Sequence, residues 1–329
     1  MAKSFLRTAL VQNEAHTADG TFQFDLPVNP LAMILVTLRA EAAAAVVLQA
    51  AASFYALVTS LGVIFRGQDV IRGSLQDLAV LNAAVMHRVP YGALNTQGDA
   101  SMFQMTVPIC FGRRPFMGAE AFPSTRRGDL ILEMILDVAT ADFDTLSLQV
   151  ETVELLGAQP KAFLKYTSSA NTFAGTGQES VRLPIGNPLL GALLFGTTAP
   201  TIAARTATWE QLRVKIDNVE AGYAKANWDS IHGELLSRIG AYSLFLEGHS
   251  HWVVVDTTID VETVAVDREA GMLEQYGYLD YDPSEDDEYM IDTAGRADVV
   301  IQRDSGTADA GRVLAVELVR VQAQGALGG

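Results

Sequence analysis

An internal repeat constrains this sequence most, because four landmarks of its first half return in the same order in its second half. The paired landmarks are LPVNPL at residues 26–31 with LPIGNPL at 183–189, the alternating apolar stretches 61–65 and 212–216, short helical patterns from Leu75 and from Trp228, and TAD at 140–142 and 307–309. Chance rarely preserves both content and order at four positions. The sequence therefore predicts two copies of one domain.

The repeat also predicts domain bounds and residue equivalences. The boundary is expected near Gln159-Pro160, after the last strand of the first copy. The expected ranges are an N-terminal arm at 1–16, a first domain at 17–159, a second domain at 160–323 and a C-terminal tail at 324–329. The residue pairs expected to superpose are Leu26 with Leu183, Leu61 with Leu212, and Leu148 with Val316.

The apolar periodicity predicts an all-β fold. Most apolar runs are short, alternate with period two and are separated by Gly, Pro, Asn and Asp. Short helices are expected in the loops, one with Trp228, Ile231 and Leu235 on its buried face and one capped by Ser74. About eight strands per copy, with long loops, suit a β-sandwich or jelly roll better than a small barrel.

Composition excludes several classes of protein. Hydrophobic residues make up 49% of the 329 residues and charged residues 19%, which is typical of a folded chain. The net charge of −16 disfavours a protein that coats nucleic acid, because such binding depends on Lys and Arg neutralising phosphates. The single cysteine cannot form an intramolecular disulfide.

The stretch from Ala42 to Phe65 carries no charge and is long enough to span a bilayer. It is rich in alanine, contains polar residues, and ends in a strict two-residue alternation from Leu61. We therefore predict an Ala-rich connection that leads into a buried strand.

The order of these landmarks resembles that of the double jelly-roll major capsid proteins of tailless icosahedral viruses with an internal membrane, which include hexon-like bacteriophage coat proteins. The resemblance rests on Asp25-Leu26-Pro27 ahead of an apolar strand, on Phe65-Arg66-Gly67 ahead of a polar turn, on the short helix at Leu75, and on the same order in the second half. It covers roughly residues 17 to 323.

The resemblance implies a structural protein without catalytic activity or cofactor. Each chain would fold into two tandem jelly rolls, and three chains would form a homotrimer that looks hexagonal. The protein would be made in the host cytoplasm, and its trimers would tile the icosahedral shell of the virion. Penton or minor capsid proteins would be further partners, and sequence-specific nucleic acid would not be one. An inner N-terminal arm with Lys3 and Arg7 would touch anionic lipid of an internal membrane or clamp a neighbouring subunit.

One alternative is a bicupin-type metalloenzyme, since cupins also are jelly rolls. His249 and His251 lie two residues apart and could share one metal ion if they stand on a strand. However, the expected carboxylate has only Asp256 as a substitute, no later histidine follows, and the first copy has no such pair. We expect no metal site and keep the two histidines as weak candidates.

A second alternative is a virion-attached carbohydrate-binding sandwich, which needs a surface cluster of Trp and Tyr. The chain has three tryptophans, at positions 209, 228 and 252, and Trp228 is assigned to the face of a helix. Isolated His16, His87 and His232 are expected at the surface or an interface. Cys110 is expected to be a buried, inert thiol.

Charge is uneven along the chain. Residues 247–329 contain 18 acidic and 5 basic residues, whereas residues 1–246 contain 21 and 18. The acidic run 280–288 does not fit a calcium-binding EF-hand, because Glu285 replaces the required glycine. The densest basic pairs bracket Phe116-Met117-Gly118, and we predict that they are interface residues: Arg113, Arg114, Arg126 and Arg127.

Overall fold

Two units make up the computed structural model of the chain. The residues that it describes are 4–42, 51–87, 91–94, 102–138, 143–175, 177–200, 206–239, 273 and 275–321. Among these, unit 1 comprises residues 4–164 and 320–321, and unit 2 comprises residues 165–239 and 273–319. The division falls between Leu164 and Lys165, beyond the expected boundary at Gln159-Pro160.

Unit 1 begins with a long strand in the region expected to be an N-terminal arm. Its elements are β1 Ser4–His16, β2 Gly20–Asp25, β3 Leu31–Ala42, α1 Ala51–Ala56, β4 Val58–Phe65, β5 Gln68–Gly73, α2 Leu75–Met86, β6 Tyr91–Leu94, β7 Met102–Cys110, β8 Leu130–Leu136 and β9 Phe143–Leu156. One sheet has the order β1-β9-β3-β7-β6, and the other strands follow the order β2-β8-β4-β5. Strand β1 pairs antiparallel with β9 from Ser4 onward, so this segment belongs to a sheet.

Unit 2 repeats this series. Its elements are β10 Ala162–Ala174, in which the division lies, β11 Gln178–Arg182, β12 Leu189–Gly196, β13 Gln211–Ile216, β14 Val219–Asn227, α3 Trp228–Ile239, β15 Tyr276–Asp280, β16 Val299–Asp304 and β17 Ala308–Arg320. The strand orders are β10-β17-β12-β15 and β11-β16-β13-β14. Strand for strand, these match β1-β9-β3-β7 and β2-β8-β4-β5 of unit 1. Two groups of four strands in this order are the pattern of a jelly roll.

Backbone hydrogen bonds at equivalent positions confirm that the two units share one fold. The amide of Leu26 donates to Leu130, which begins β8, and the amide of Leu183 donates to Val299, which begins β16. Leu61 and Leu212 likewise lie on the equivalent strands β4 and β13.

The expected equivalence of Leu148 and Val316 is wrong in register. Leu31 pairs with Glu154 across β3 and β9, and Leu189 pairs with Glu317 across β12 and β17. Val316 therefore corresponds to Val153. The prediction aligned the two TAD segments, but β17 begins inside its TAD segment, whereas β9 begins after it.

The uncharged stretch that ends at Phe65 contains helix α1 and strand β4 among its described residues, and residues 43–50 lie outside them. Leu61 and Val63 of β4 are completely buried, as the alternation predicts. Within the described part of the chain, no helix is both long and apolar enough to cross a membrane.

Both predicted loop helices form. The Ser74 side chain accepts a hydrogen bond from the backbone amide of Asp77 and caps α2, which is buried on most sides. In α3 the buried residues are Trp228, Ile231, Leu235 and Ile239, which lie on one helical face.

The core of unit 2 surrounds the fully buried Trp209 and draws apolar side chains from both groups of strands, such as Leu194 and Val214. It also contains the fully buried side chain of Arg303. Its guanidinium lies 3.9 Å from the centre of the Phe173 ring and donates to the Glu179 carboxylate at 2.6 Å. This pairing satisfies a charge that would otherwise be costly to bury.

A buried carboxylate holds the turn between the second and third strands of each unit. In unit 1 the Asn29 amide donates to Glu154 at 2.7 Å, and in unit 2 the Asn187 amide donates to Glu317 at 2.8 Å. Both carboxylates are at most 4% exposed. The asparagines belong to the repeated Leu-Pro segments, so the repeat has a structural cause.

We expect Asn187→Ala to lower the free energy of unfolding by about 1.5–3 kcal/mol, because the buried carboxylate of Glu317 would lose the hydrogen bond that Asn187 donates. Denaturant titration measures this change. Asn171→Ala is the control, since the Asn171 side-chain amide donates to the Ser169 carbonyl in an exposed part of β10. Equal effects of the two substitutions would contradict the role of the turn.

Asp309, in the second TAD segment, predicts a dependence of stability on pH. Partial burial opposes ionisation, but hydrogen bonds from Thr197, Thr198 and Thr208 outweigh it and lower the pKa of Asp309 to about 2. The ionised carboxylate therefore stabilises the fold above pH 4, and this contribution is lost as the pH falls towards 2.

We expect Asp309→Asn to remove about 1 kcal/mol of stability at pH 7 and to flatten the loss of stability between pH 4 and pH 2. Thermal unfolding across this pH range is the measurement. Asp304→Asn is the matched control. An unchanged pH profile in Asp309→Asn would refute the assignment.

Candidate functional site

The metal-site candidates His249 and His251 lie outside the described residues, as does Lys3. No group of three or more His, Cys, Asp or Glu side chains that could hold a metal ion occurs in the part of the chain that the structure describes.

The other histidines have different surroundings. His87 is exposed and ends α2 in the left-handed conformation. His232 is half-buried, and its Nδ1 lies 2.8 Å from the Tyr276 carbonyl oxygen. The prediction of a surface position is wrong for His16, which is only 6% exposed because it packs edge-on against Phe22 at the end of β1.

Cys110 is buried at the end of β7, as predicted. Its backbone amide donates to Asn82 Oδ1 on α2 at 2.9 Å, and its Sγ lies 3.1 Å from Met86 Sδ. Burial raises the pKa of the Cys110 thiol to about 12. The thiol is therefore protonated at neutral pH and is a poor nucleophile.

The predicted basic interface residues differ in how far their side chains are exposed. Arg7 is half-exposed and forms an ion pair with Glu151 of β9. Arg113 forms an ion pair with Glu120 inside the loop between β7 and β8, and both side chains are largely buried. Arg114 is exposed in the same loop.

Arg126 and Arg127 are exposed in the turn that leads into β8. The turn closes through a hydrogen bond from the Asp129 amide to the Arg126 carbonyl. With Arg114, these residues give the loop of residues 111–129 three exposed arginines.

An apolar surface pocket in unit 1 was not predicted as such. Its volume is 170 Å³, and its walls are Ser4, Phe5, Phe116, Gly118, Leu155, Leu156 and Ala158, of which only Ser4 has a polar side chain. The rings of Phe5 and Phe116 meet edge to face with their centres 5.4 Å apart. The sequence signal was the apolar segment between the two arginine pairs, but its packing against β1 requires the fold.

The corresponding loop of unit 2, residues 281–298, is acidic. Asp286, Asp287 and Glu288 are exposed, and they precede Tyr289, which is 59% exposed. The two equivalent loops therefore differ in charge. Residues 111–129 contain four arginines and two acidic residues, whereas residues 281–298 contain seven acidic residues and one arginine.

Comparison with known proteins identifies the fold. No family model matches the chain, and no curated protein matches it. Among solved structures, the major capsid protein of Sulfolobus Turreted Icosahedral Virus has 14% identity and a TM-score of 0.66, covering 96% of this chain and 97% of that one.

Major capsid protein P2 of bacteriophage PM2 has 12% identity and a TM-score of 0.62, over 99% of this chain and 100% of that one. The major capsid protein of Faustovirus has 9% identity and a TM-score of 0.56, over 98% and 91%. These proteins are double jelly rolls, and the likeness extends along nearly the whole chain. This chain is a double jelly-roll protein.

The double jelly roll places its described tryptophans in the core. Trp209 is fully buried and Trp228 is 3% exposed. Neither tryptophan therefore contributes to the surface cluster of Trp and Tyr that a carbohydrate-binding sandwich needs.

We expect Cys110 to resist alkylation in the folded double jelly roll. At pH 7 to 8 the native chain should react with iodoacetamide at least about tenfold more slowly than the chain unfolded in urea, because the native thiol is buried and protonated. Mass spectrometry of the alkylated chain measures this ratio. Equal rates would contradict the buried position.

Proposed function

We propose that this double jelly-roll protein is a major capsid protein, a structural protein without catalytic activity that forms the shell of a virion. The observation that carries the proposal is the match to major capsid proteins over 96% or more of this chain. A fold alone does not determine function. Here, however, the match extends over both tandem rolls of this chain and not over a single roll.

The assembly that we propose is a trimer. Each chain carries two rolls with the same strand order, so three chains supply six similar units for a ring that looks hexagonal. Such a ring uses a heterologous contact, in which one surface of a copy meets a different surface of the next, and the contact closes at a rotation of 120 degrees. Trimers of this shape would tile an icosahedral lattice.

The metalloenzyme alternative has less support. In the sequence only Asp256 could replace the expected cupin carboxylate, and no histidine follows His251. Burial of two tryptophans likewise gives no support to carbohydrate binding through an aromatic surface.

Further proposed partners follow from a role in the virion. Penton or minor capsid proteins would fill positions that a hexagonal unit cannot occupy. For the N-terminal segment around Lys3 and Arg7 we propose an inner position against a neighbouring subunit or an internal membrane. The exposed Phe5 and Leu6 of β1 support a contact at this place. We also propose that the virion is that of a bacteriophage.

We expect the purified protein to form a stable trimer at low salt, with a tendency to larger assemblies as salt screens the charge of −16 on each chain. Sedimentation velocity and native mass spectrometry measure this. A protein that stays monomeric or dimeric at every salt concentration would contradict both the trimer and the shell.

A further inference from the structure

The apolar pocket of unit 1 is suited to an aromatic side chain. Phe5 is 62% exposed, Phe116 53% and Met117 42%, so large apolar side chains are exposed in the pocket and beside it in sequence. A cavity of about 150 Å³ with apolar walls can bind benzene. The 170 Å³ of this pocket therefore suffices for one aromatic ring.

Phe116 adopts a backbone conformation that is unfavourable for a bulky side chain. Its φ is 68°, in the left-handed region that bulky side chains rarely adopt. Glycine would take this conformation at lower cost. A strained aromatic residue that is also half-exposed does not contribute to the core, and such strain concentrates at functional sites.

The complementary surface lies on unit 2. Tyr289 follows directly after Asp286, Asp287 and Glu288 in the loop of residues 281–298, and all four side chains are exposed. Tyrosine is enriched at protein interfaces because it combines an apolar ring with a polar hydroxyl. The pocket loop carries exposed Arg114, so an aromatic ring with acidic neighbours is complementary to an apolar pocket with a basic neighbour.

We propose that Tyr289 of one copy inserts into the pocket of Phe5 and Phe116 of the next copy, with the exposed acids of its loop facing the arginines of the pocket loop. This proposal rests on the proposed capsid function and names the contact that closes the trimer. The two loops are topologically equivalent, since one joins β7 to β8 in unit 1 and the other joins the matching strands β15 and β16 in unit 2. In a ring where first and second rolls alternate, the opposite charges would favour the alternation and disfavour contact between like rolls.

Charge favours a second copy over a membrane as the occupant. The chain has a net charge of −16, so an anionic bilayer would repel most of the protein. The loop of residues 281–298 supplies seven acidic residues on the same molecule. Because each chain carries both loops, a homotrimer contains as many acidic loops as basic ones.

Two substitutions test the contact from its two sides. Phe116→Gly should leave the melting temperature of the unassembled chain unchanged or higher, because the left-handed strain is removed, and should weaken trimer formation about tenfold or more. Tyr289→Ala should weaken it similarly, whereas Tyr289→Phe should keep most of it. Val219→Ala is the control, because Val219 is an exposed apolar residue at the start of β14, outside both loops. Native mass spectrometry over a dilution series measures the trimer.

Cross-linking tests the contact in trans. Met117→Cys and Glu288→Cys are made in separate chains, which are mixed and oxidised. We expect a disulfide-linked dimer in the mixture and little in either variant alone, because the proposed contact joins unit 1 of one copy to unit 2 of another. Cys110 is buried and should not compete.

The outcomes separate the two proposals. A wild-type trimer that Phe116→Gly and Tyr289→Ala leave intact, without the mixed disulfide, overturns this contact and leaves the capsid function standing. A wild-type chain that never trimerises overturns both. If the two substitutions spare the trimer but Phe116→Gly reduces sedimentation with phosphatidylglycerol vesicles, the pocket is a membrane surface and the proposed contact is wrong.

Discussion

Each jelly roll depends on a hydrogen bond between an asparagine in a turn and a buried carboxylate near the end of its last strand. Glu154 and Glu317 are almost completely buried, so each needs donors to offset its lost hydration. Asn29 and Asn187 supply one donor each. The backbone beside this bond is also fixed, since the amides that follow the two glutamates donate to the carbonyls of Pro30 and Pro188. The turn and the last strand are thereby joined in both units.

The same scaffold carries loops of opposite charge, and in the proposed trimer this difference would distinguish the first rolls from the second rolls. The strand orders of the two units match, whereas the loop before β8 is basic in unit 1 and the equivalent loop before β16 is acidic in unit 2. Two identical rolls would allow any neighbour. Two rolls with complementary loops favour alternation, which a ring of three chains requires. Loops that differ in charge on rolls of the same strand order are therefore what we expect to direct assembly in the proposed shell.

The sequence predicted the features that arise from local physical rules. Alternation predicted β4 and β13, helical spacing predicted the buried face of Trp228 and Ile231, and the repeated turn predicted the duplication. Long-range register was not accessible, which is why Leu148 was paired with Val316. The burial of His16 and the pocket of Phe5 and Phe116 also depend on strands distant in sequence. Their surroundings are determined by β1 pairing with β9, and no local pattern encodes that pairing.

Electron microscopy of the protein purified from particles, or assembled after expression, tests the central claim most directly. The account predicts closed icosahedral shells whose units look hexagonal and resolve into three copies of this chain, each contributing two jelly rolls. Smooth density without such units, or particles in which this protein is absent from the shell, would contradict it.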